Sequence, residues 1–218
     1  MLGKQVFILC APVLSFAACG SPSPDRQVSY AEPRVASMLL ADSLTDDFEV
    51  FDRSNHLRPY LKRESFDTLH CWDLGWAVLE EISIAQNDEH EVQLAKCFSP
   101  GQKALYFYWY LDAQVTNGGV MQFFLNGYQR YVPTIDAGLR LIGDTATAGL
   151  LAQAHADCLA HREEFELVAE GKNDWSWLRE RLPRMDKMDE EYFRLHDSTM
   201  TRFESFIREH PSEFVILR

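Results

Sequence analysis

One stretch limits what this chain can fold into more than any other: Ser99 to Gly143, where aromatic residues, glycine punctuation and helical periodicity are densest. Ser99 is placed to cap a helix, Pro100 suits its first position, and Gln102, three residues after Ser99, completes a capping box. Ala104, Tyr108, Leu111 and Val115 follow as one apolar stripe, while Leu105, Phe107, Trp109 and Tyr110 make most other sides apolar too. A helix that is apolar nearly all round belongs at the centre of a fold. Asn117-Gly118-Gly119 ends it, since glycine takes the left-handed turn that closes a helix, and the chain restarts as a short helix from Val120 to Leu125.

The flanking segments are helical as well. Glu32 to Leu44 forms a short first helix with Pro33 at its start, and the acidic stretch Thr45 to Arg63, which contains Pro59, is loop with short helical pieces. From about Asp67, the residues Leu69, Trp72, Trp76, Leu79 and Ile82 share one helical face, and its two tryptophans imply packing against the aromatic helix. Asn87 to Cys97 is an acidic, exposed link. Pro133 opens a helix with Ile135, Leu139 and Ile142 on one face; Gly143 closes it and Asp144 caps the next. That next helix is long, with Leu151, Ala154, Cys158, His161, Phe165 and Val168 alternating by three and four up to Gly171. Asn173 to Pro183 is a loop or a short helix. The last long helix runs from about Asp186 to His210 with Tyr192, Leu195, Thr199, Phe203 and Phe206 inward; Pro211 stops it and a tail, Phe214 to Leu217, packs back. No segment sustains a period of two. The fold class is therefore all-α or mainly α, a single compact multi-helix domain over residues 32–218 built around the central module at about 99–143.

Residues 1–31 have a different character. Met1 to Ala18 carries one positive residue, Lys4, and an apolar run from Val6 to Ala18 that is too short for a comfortable membrane span, the anatomy of a signal peptide. Ser15-Phe16-Ala17-Ala18-Cys19 resembles a lipobox, the site where bacterial lipoproteins are cleaved and the new N-terminal cysteine is lipidated, although Phe16 stands where an aliphatic residue is usual. Gly20 to Pro24 supplies Gly, Ser and Pro for a tether over 19–31. The expectation is a chain lipidated on Cys19 and held at the cell envelope, with Gly20 favouring the outer membrane. The other reading makes this segment an N-terminal helix of a cytoplasmic domain.

The central stretch also carries a family resemblance. Gln114-Val115-Thr116-Asn117-Gly118-Gly119-Val120-Met121-Gln122-Phe123-Phe124-Leu125-Asn126, followed by Leu139-Arg140-Leu141-Ile142-Gly143, resembles the DNA-mimic protein C-terminal domain family over the middle and end of the chain. Its most recognisable element is the Asn117-Gly118-Gly119 turn followed by Gln122, Phe123 and Asn126. Thr116 and Val120 depart from the family's second Asn and aromatic, which makes this a divergent copy. The resemblance implies an acidic, mainly helical protein that presents carboxylates to a DNA-binding protein where DNA would present phosphates.

Charge agrees with a basic partner. The chain has 21 Lys and Arg against 33 Asp and Glu, a net of −12; loss of Lys4 with the leader leaves 20 − 33 = −13. That disfavours nucleic acid and anionic membrane surfaces as direct ligands. The acid lies outside the apolar centre, and three clusters are candidate binding faces: Glu163, Glu166 and Glu170; Asp186, Asp189, Glu190 and Glu191; and Asp46, Asp47, Glu49 and Asp52. Side chains three and four apart on a helix lie about 5 to 6 Å from one another at Cβ, so such rows can imitate a phosphate backbone or simply keep an acidic domain dispersed.

No catalytic or cofactor motif appears. There is no Walker loop, dinucleotide fingerprint or serine elbow, and His90-Glu91 lacks the second histidine of a metalloprotease helix. His155, Cys158 and His161 are potential metal ligands, but the outer pair is separated by about 120° around a helix, so a metal would need ligands from elsewhere. Asn117, Gln122 and Asn126 are amides, suited to holding two short helices together rather than to moving protons. Beyond Cys10 and Cys19, three cysteines remain, Cys71, Cys97 and Cys158, whose spacings match no disulfide framework. The sequence thus implies a non-enzymatic protein-interaction domain without metal or cofactor. Two interaction modes stay open, carboxylates against a basic partner or, for an exported lipoprotein, shape and aromatic residues against an immunity or assembly partner; an enzyme with an unrecognised site is the third class.

Overall fold

A computed structural model of the chain describes residues 48–218. The leader, Cys19, the tether, the short helix expected at Glu32 to Leu44, and Asp46 and Asp47 of the third acidic cluster lie outside the described residues. Ten α-helices make up most of what is described: α1 (Arg63–Thr68), α2 (Cys71–Ile82), α3 (Asp88–Ala95), α4 (Pro100–Leu125), α5 (Val132–Leu141), α6 (Thr145–Ala160), α7 (Arg162–Ala169), α8 (Trp175–Arg181), α9 (Pro183–Glu209) and α10 (Pro211–Phe214). Two-residue strands, β1 (Tyr60–Leu61) and β2 (Ile216–Leu217), pair in parallel and pin the C-terminal tail to the start of the domain. The fold class is mainly α, as the periodicity implied.

Helix α4 is the axis of the molecule. Ser99 Oγ accepts the Gln102 N–H while Gln102 Oε1 accepts the Ser99 N–H, so the capping box is complete at 3.2 and 3.0 Å. Ala104, Leu105, Phe107, Tyr108, Leu111 and Val115 are all buried, with α2, α5 and α9 packed around them. Gly138 of α5 is what allows the closest approach: a Cβ there would stand 2.7 Å from Ala104 Cα. The turn into α6 follows the sequence closely. Gly143 has φ 74° and Asp144 caps α6 by accepting the Thr147 N–H at 3.1 Å.

Four elements differ from expectation. The link Asn87 to Cys97 is not an exposed linker but contains α3, capped by Asn87 and burying Val92, Leu94, Ala95 and even Glu91. Glu91 is tolerated inside because the hydroxyls of Tyr106, Tyr110 and Tyr131 all donate to its carboxylate. The helix expected from about Asp67 is broken at Leu69 and His70, and the face that α2 buries is Leu74, Gly75, Val78, Leu79 and Ile82. Trp76 stays 40% exposed on the flank, 6.1 Å from the Trp109 ring, because Gly75 brings α2 too close to Leu105 for an indole to fit between them. The long helix expected up to Gly171 bends at His161 (φ −116°, ψ 30°) into α6 and α7, which returns Phe165 to an edge contact with Phe124 at 6.3 Å. The segment around Trp175 and Trp177 takes the short-helix form of its two expected ones, as α8 capped by Asp174, whereas α9 starts three residues earlier than expected, with Pro183 in its first turn.

Tyr108 combines full burial with a hydroxyl 2.9 Å from that of Tyr192, so it is a severe place to cut. Tyr108→Ala should cost about 3 to 5 kcal/mol, and Trp76→Ala less than about 1 kcal/mol, in chemical denaturation. Similar losses for the two variants would contradict this placement of α4.

Candidate functional site

Near its end α4 leaves helical geometry for two residues. Gly118 has φ −154° and ψ 17°, Gly119 has φ 85° and ψ 176°, and the helix then resumes to Leu125. The Gly119 angles fall in a region that only glycine enters without strain. The end and restart implied by the sequence are both present, as two helical halves that meet at this kink and are bridged in two ways. Asp189, reaching over from α9, accepts the freed Val120 N–H at 2.6 Å and so caps the second half. A chain of amides spans the break: Asn117 Nδ2 donates to Gln122 Oε1 at 3.1 Å, while Gln122 Nε2 and Asn126 Nδ2 donate to Gln114 Oε1 at 3.0 and 2.6 Å.

The kink forms one wall of a cleft of about 620 Å³. Val115 to Gly119 and Gln122 line it from α4, Trp175 and Arg179 from α8, and Asp186, Asp189, Glu190 and Phe193 from α9. Two features far apart in sequence, the Asn-Gly-Gly turn and the acidic start of α9, therefore meet here. Asp186 pairs with Arg179 at 2.8 Å, which raises the guanidinium pKa. Asp189 is half-buried; burial foremost, and the Asp186 charge as well, push its carboxyl up, against the opposing pull of the Val120 amide and Arg179. Glu190 is exposed and makes no ion pair among the described residues. Three carboxylates thus face one guanidinium, with Phe193, 53% exposed, at the lip.

The other expected site residues lie elsewhere. Glu191 is about 100° around the helix from Glu190 and is held by Arg194 at 2.5 Å. Phe123 is fully buried, packed edge-on against Phe124 with centroids 5.2 Å apart. Glu163, Glu166 and Glu170 are exposed on and just beyond α7, outside the cleft lining, with Glu166 paired to Arg162 at 2.7 Å and Glu170 to Lys172 at 2.5 Å. His155 stacks on Phe124 at 6.1 Å, and no group of His, Cys, Asp and Glu able to hold a metal ion occurs among the described residues. The cleft lining offers carboxylates, amides and two aromatic rings, groups that bind and orient a cation, beside one resident guanidinium. Trp175, Arg179 and Phe193 are not among the expected site residues, and Gln114 is there only as part of the family segment. Phe193 did leave a signal, being an apolar residue out of phase with the inward stripe of its helix.

A family model described as DMP19-like protein matches residues 96–210. Over 112 residues the chain is 32% identical to the DNA mimic protein DMP19 of Neisseria meningitidis serogroup B (strain ATCC BAA-335 / MC58), which covers 48% of this chain and 67% of that protein. The matched segment runs from before α4 to the end of α9 and contains every residue of the cleft.

A Cβ on Gly119 would stand 2.4 Å from Asp189 Oδ2 at a positive φ, whereas one on Gly118 would meet chiefly the Gln122 side chain. Gly119→Ala should therefore cost about 1 to 3 kcal/mol, and Gly118→Ala less, because a side-chain amide can move aside. Denaturant midpoints of the two variants decide it, and equal midpoints would sink the role assigned to Gly119.

Proposed function

We propose that this chain, which belongs to the DMP19-like protein family, is a non-catalytic protein-interaction module that offers carboxylates to a basic surface on a DNA-binding protein. The observation that carries the reading is the arrangement of acid on a rigid helical frame. Exposed carboxylates recur at helical spacing at Glu163, Glu166 and Glu170, and the half-buried Asp186 is followed one turn later by the exposed Glu190, on a chain with a net charge of −12. Held by helices, such a row keeps its spacing when a partner arrives, so little ordering entropy opposes binding. The name of the Neisseria relative, a DNA mimic protein, fits the same chemistry. A second reading, recognition through shape, draws on the exposed Phe193 and on Trp175 at the cleft.

If carboxylates carry the binding, a basic protein partner recovered by affinity capture should associate rapidly and lose affinity steeply as salt rises, since exposed charges are screened beyond about 8 Å at physiological ionic strength. Reversing Glu163, Glu166 and Glu170 to Lys should slow association with the fold intact by circular dichroism. A partner indifferent to both salt and reversal would support the shape reading instead.

Residues 1–31 carry a separate proposal, attachment of the mature chain to the cell envelope through lipid on Cys19. Wild-type protein should then sediment with membranes and Cys19→Ser should not. Recovery of the wild type in the cytoplasm with Met1 intact would refute the anchor.

A further inference from the structure

The cleft at the kink of α4 is more than a patch of acid. It is an open cleft lined by three helices, and it already holds one guanidinium, that of Arg179, against Asp186 at 2.8 Å. Glu190 beside it has no cation of its own among the described residues, and Asp189 is spoken for by the Val120 N–H. Phe193, on α9, exposes half its surface, and Trp175, on α8, also lines the cleft. The lining therefore has more negative charge than its own arginine neutralises, and aromatic surface that nothing in the described fold covers.

We propose that this cleft receives an arginine side chain from the protein partner, seated between Asp186 and Glu190 and flanked by Trp175 and Phe193, with Arg179 as the resident guanidinium that it displaces. The proposal rests on the reading of the chain as an acidic protein-binding module and names the contact that module makes. Arginine fits better than lysine because its planar fork meets carboxylates with two parallel hydrogen bonds and its flat face packs on aromatic rings. The cavity, at about 620 Å³, has room for the side chain together with part of the backbone that carries it.

The test is a titration of the ¹⁵N-labelled full chain with a short blocked peptide carrying two arginines, followed by its citrulline counterpart, which keeps the shape and loses the charge. The arginine peptide should give saturable shifts at the Gly118 and Gly119 amides and the Trp175 indole, and the citrulline peptide none. Glu190→Gln, exposed and without an ion pair among the described residues, and Phe193→Ala, exposed with an edge contact to Tyr192 at 6.0 Å, should each weaken binding about two- to fivefold. Arg179→Gln should strengthen it by about the same factor, because Asp186 no longer has to give up an existing pair. Shifts confined to Glu163–Glu170, or an Arg179→Gln variant that does not bind more tightly, overturn the cleft while leaving the broader acidic reading in place. A peptide bound nowhere on the protein overturns both.

Discussion

A helix wrapped by other helices has little water with which to satisfy its buried polar side chains, so those along the first half of α4 are answered from other elements. Gln102 donates to Leu57 O at 2.6 Å and to Phe214 O, which ties the first described segment and the C-terminal tail to the head of the helix. Lys103 donates to the Phe48 and Val50 carbonyls at 3.1 and 2.8 Å. Tyr106 and Tyr110 engage Glu91 and so fasten α3. Farther along, Asp112 accepts from the Tyr192 hydroxyl at 2.8 Å and lies 2.9 Å from His196 Nε2, both on α9. Apolar burial drives these elements together, but it is indifferent to register. The polar answers fix which residue meets which, because an unmatched buried group costs about 1 to 3 kcal/mol.

The same demand shapes the cleft. Two non-helical glycines interrupt the backbone ladder of α4 and free the Val120 N–H inside the protein. Asp189 supplies the missing acceptor, and to do so it must project from α9 toward the kink. Asp186 and Glu190 lie three residues before and one after it, and so they are carried to the same opening. Closing the helix break thus sets where these carboxylates stand, with Asp189 turned inward to the Val120 N–H and Asp186 and Glu190 at the cleft beside it.

Much of this was legible in the sequence where local chemistry decides structure. Ser99 with Gln102, Gly143 with Asp144, and the stripe from Ala104 to Val115 are each settled by short-range rules, and each is present as expected. The misses occur where a tertiary partner overrides local character. Asp88, Glu89 and Glu91 give α3 the look of an exposed link, and nothing nearby in sequence announces that three tyrosines from 15 to 40 positions away will take up Glu91. Trp72 and Trp76 share a helical face with Leu79 and Ile82, which are buried as expected, yet Gly75 lets α4 come close and shifts the buried face toward Leu74 and Val78. His161 sits on an unbroken three-four alternation, so the bend there, after which Phe165 meets Phe124 across the fold, has no local signal.

The candidate site was legible in halves. The Asn117-Gly118-Gly119 turn and the acidic run from Asp186 both stand out in the sequence, but their meeting depends on the crossing of α4 and α9, which no spacing rule encodes. Counting acids also treats unlike groups as alike. Asp189 is a cap, Glu191 is paired within its own helix, Asp186 is shared with Arg179, and Glu190 alone of the four is both exposed and unpaired among the described residues. A cluster of four carboxylates therefore offers an incoming cation far less than four charges. Its selectivity comes from where the remaining ones stand relative to Trp175 and Phe193, and that is a property of how the helices pack.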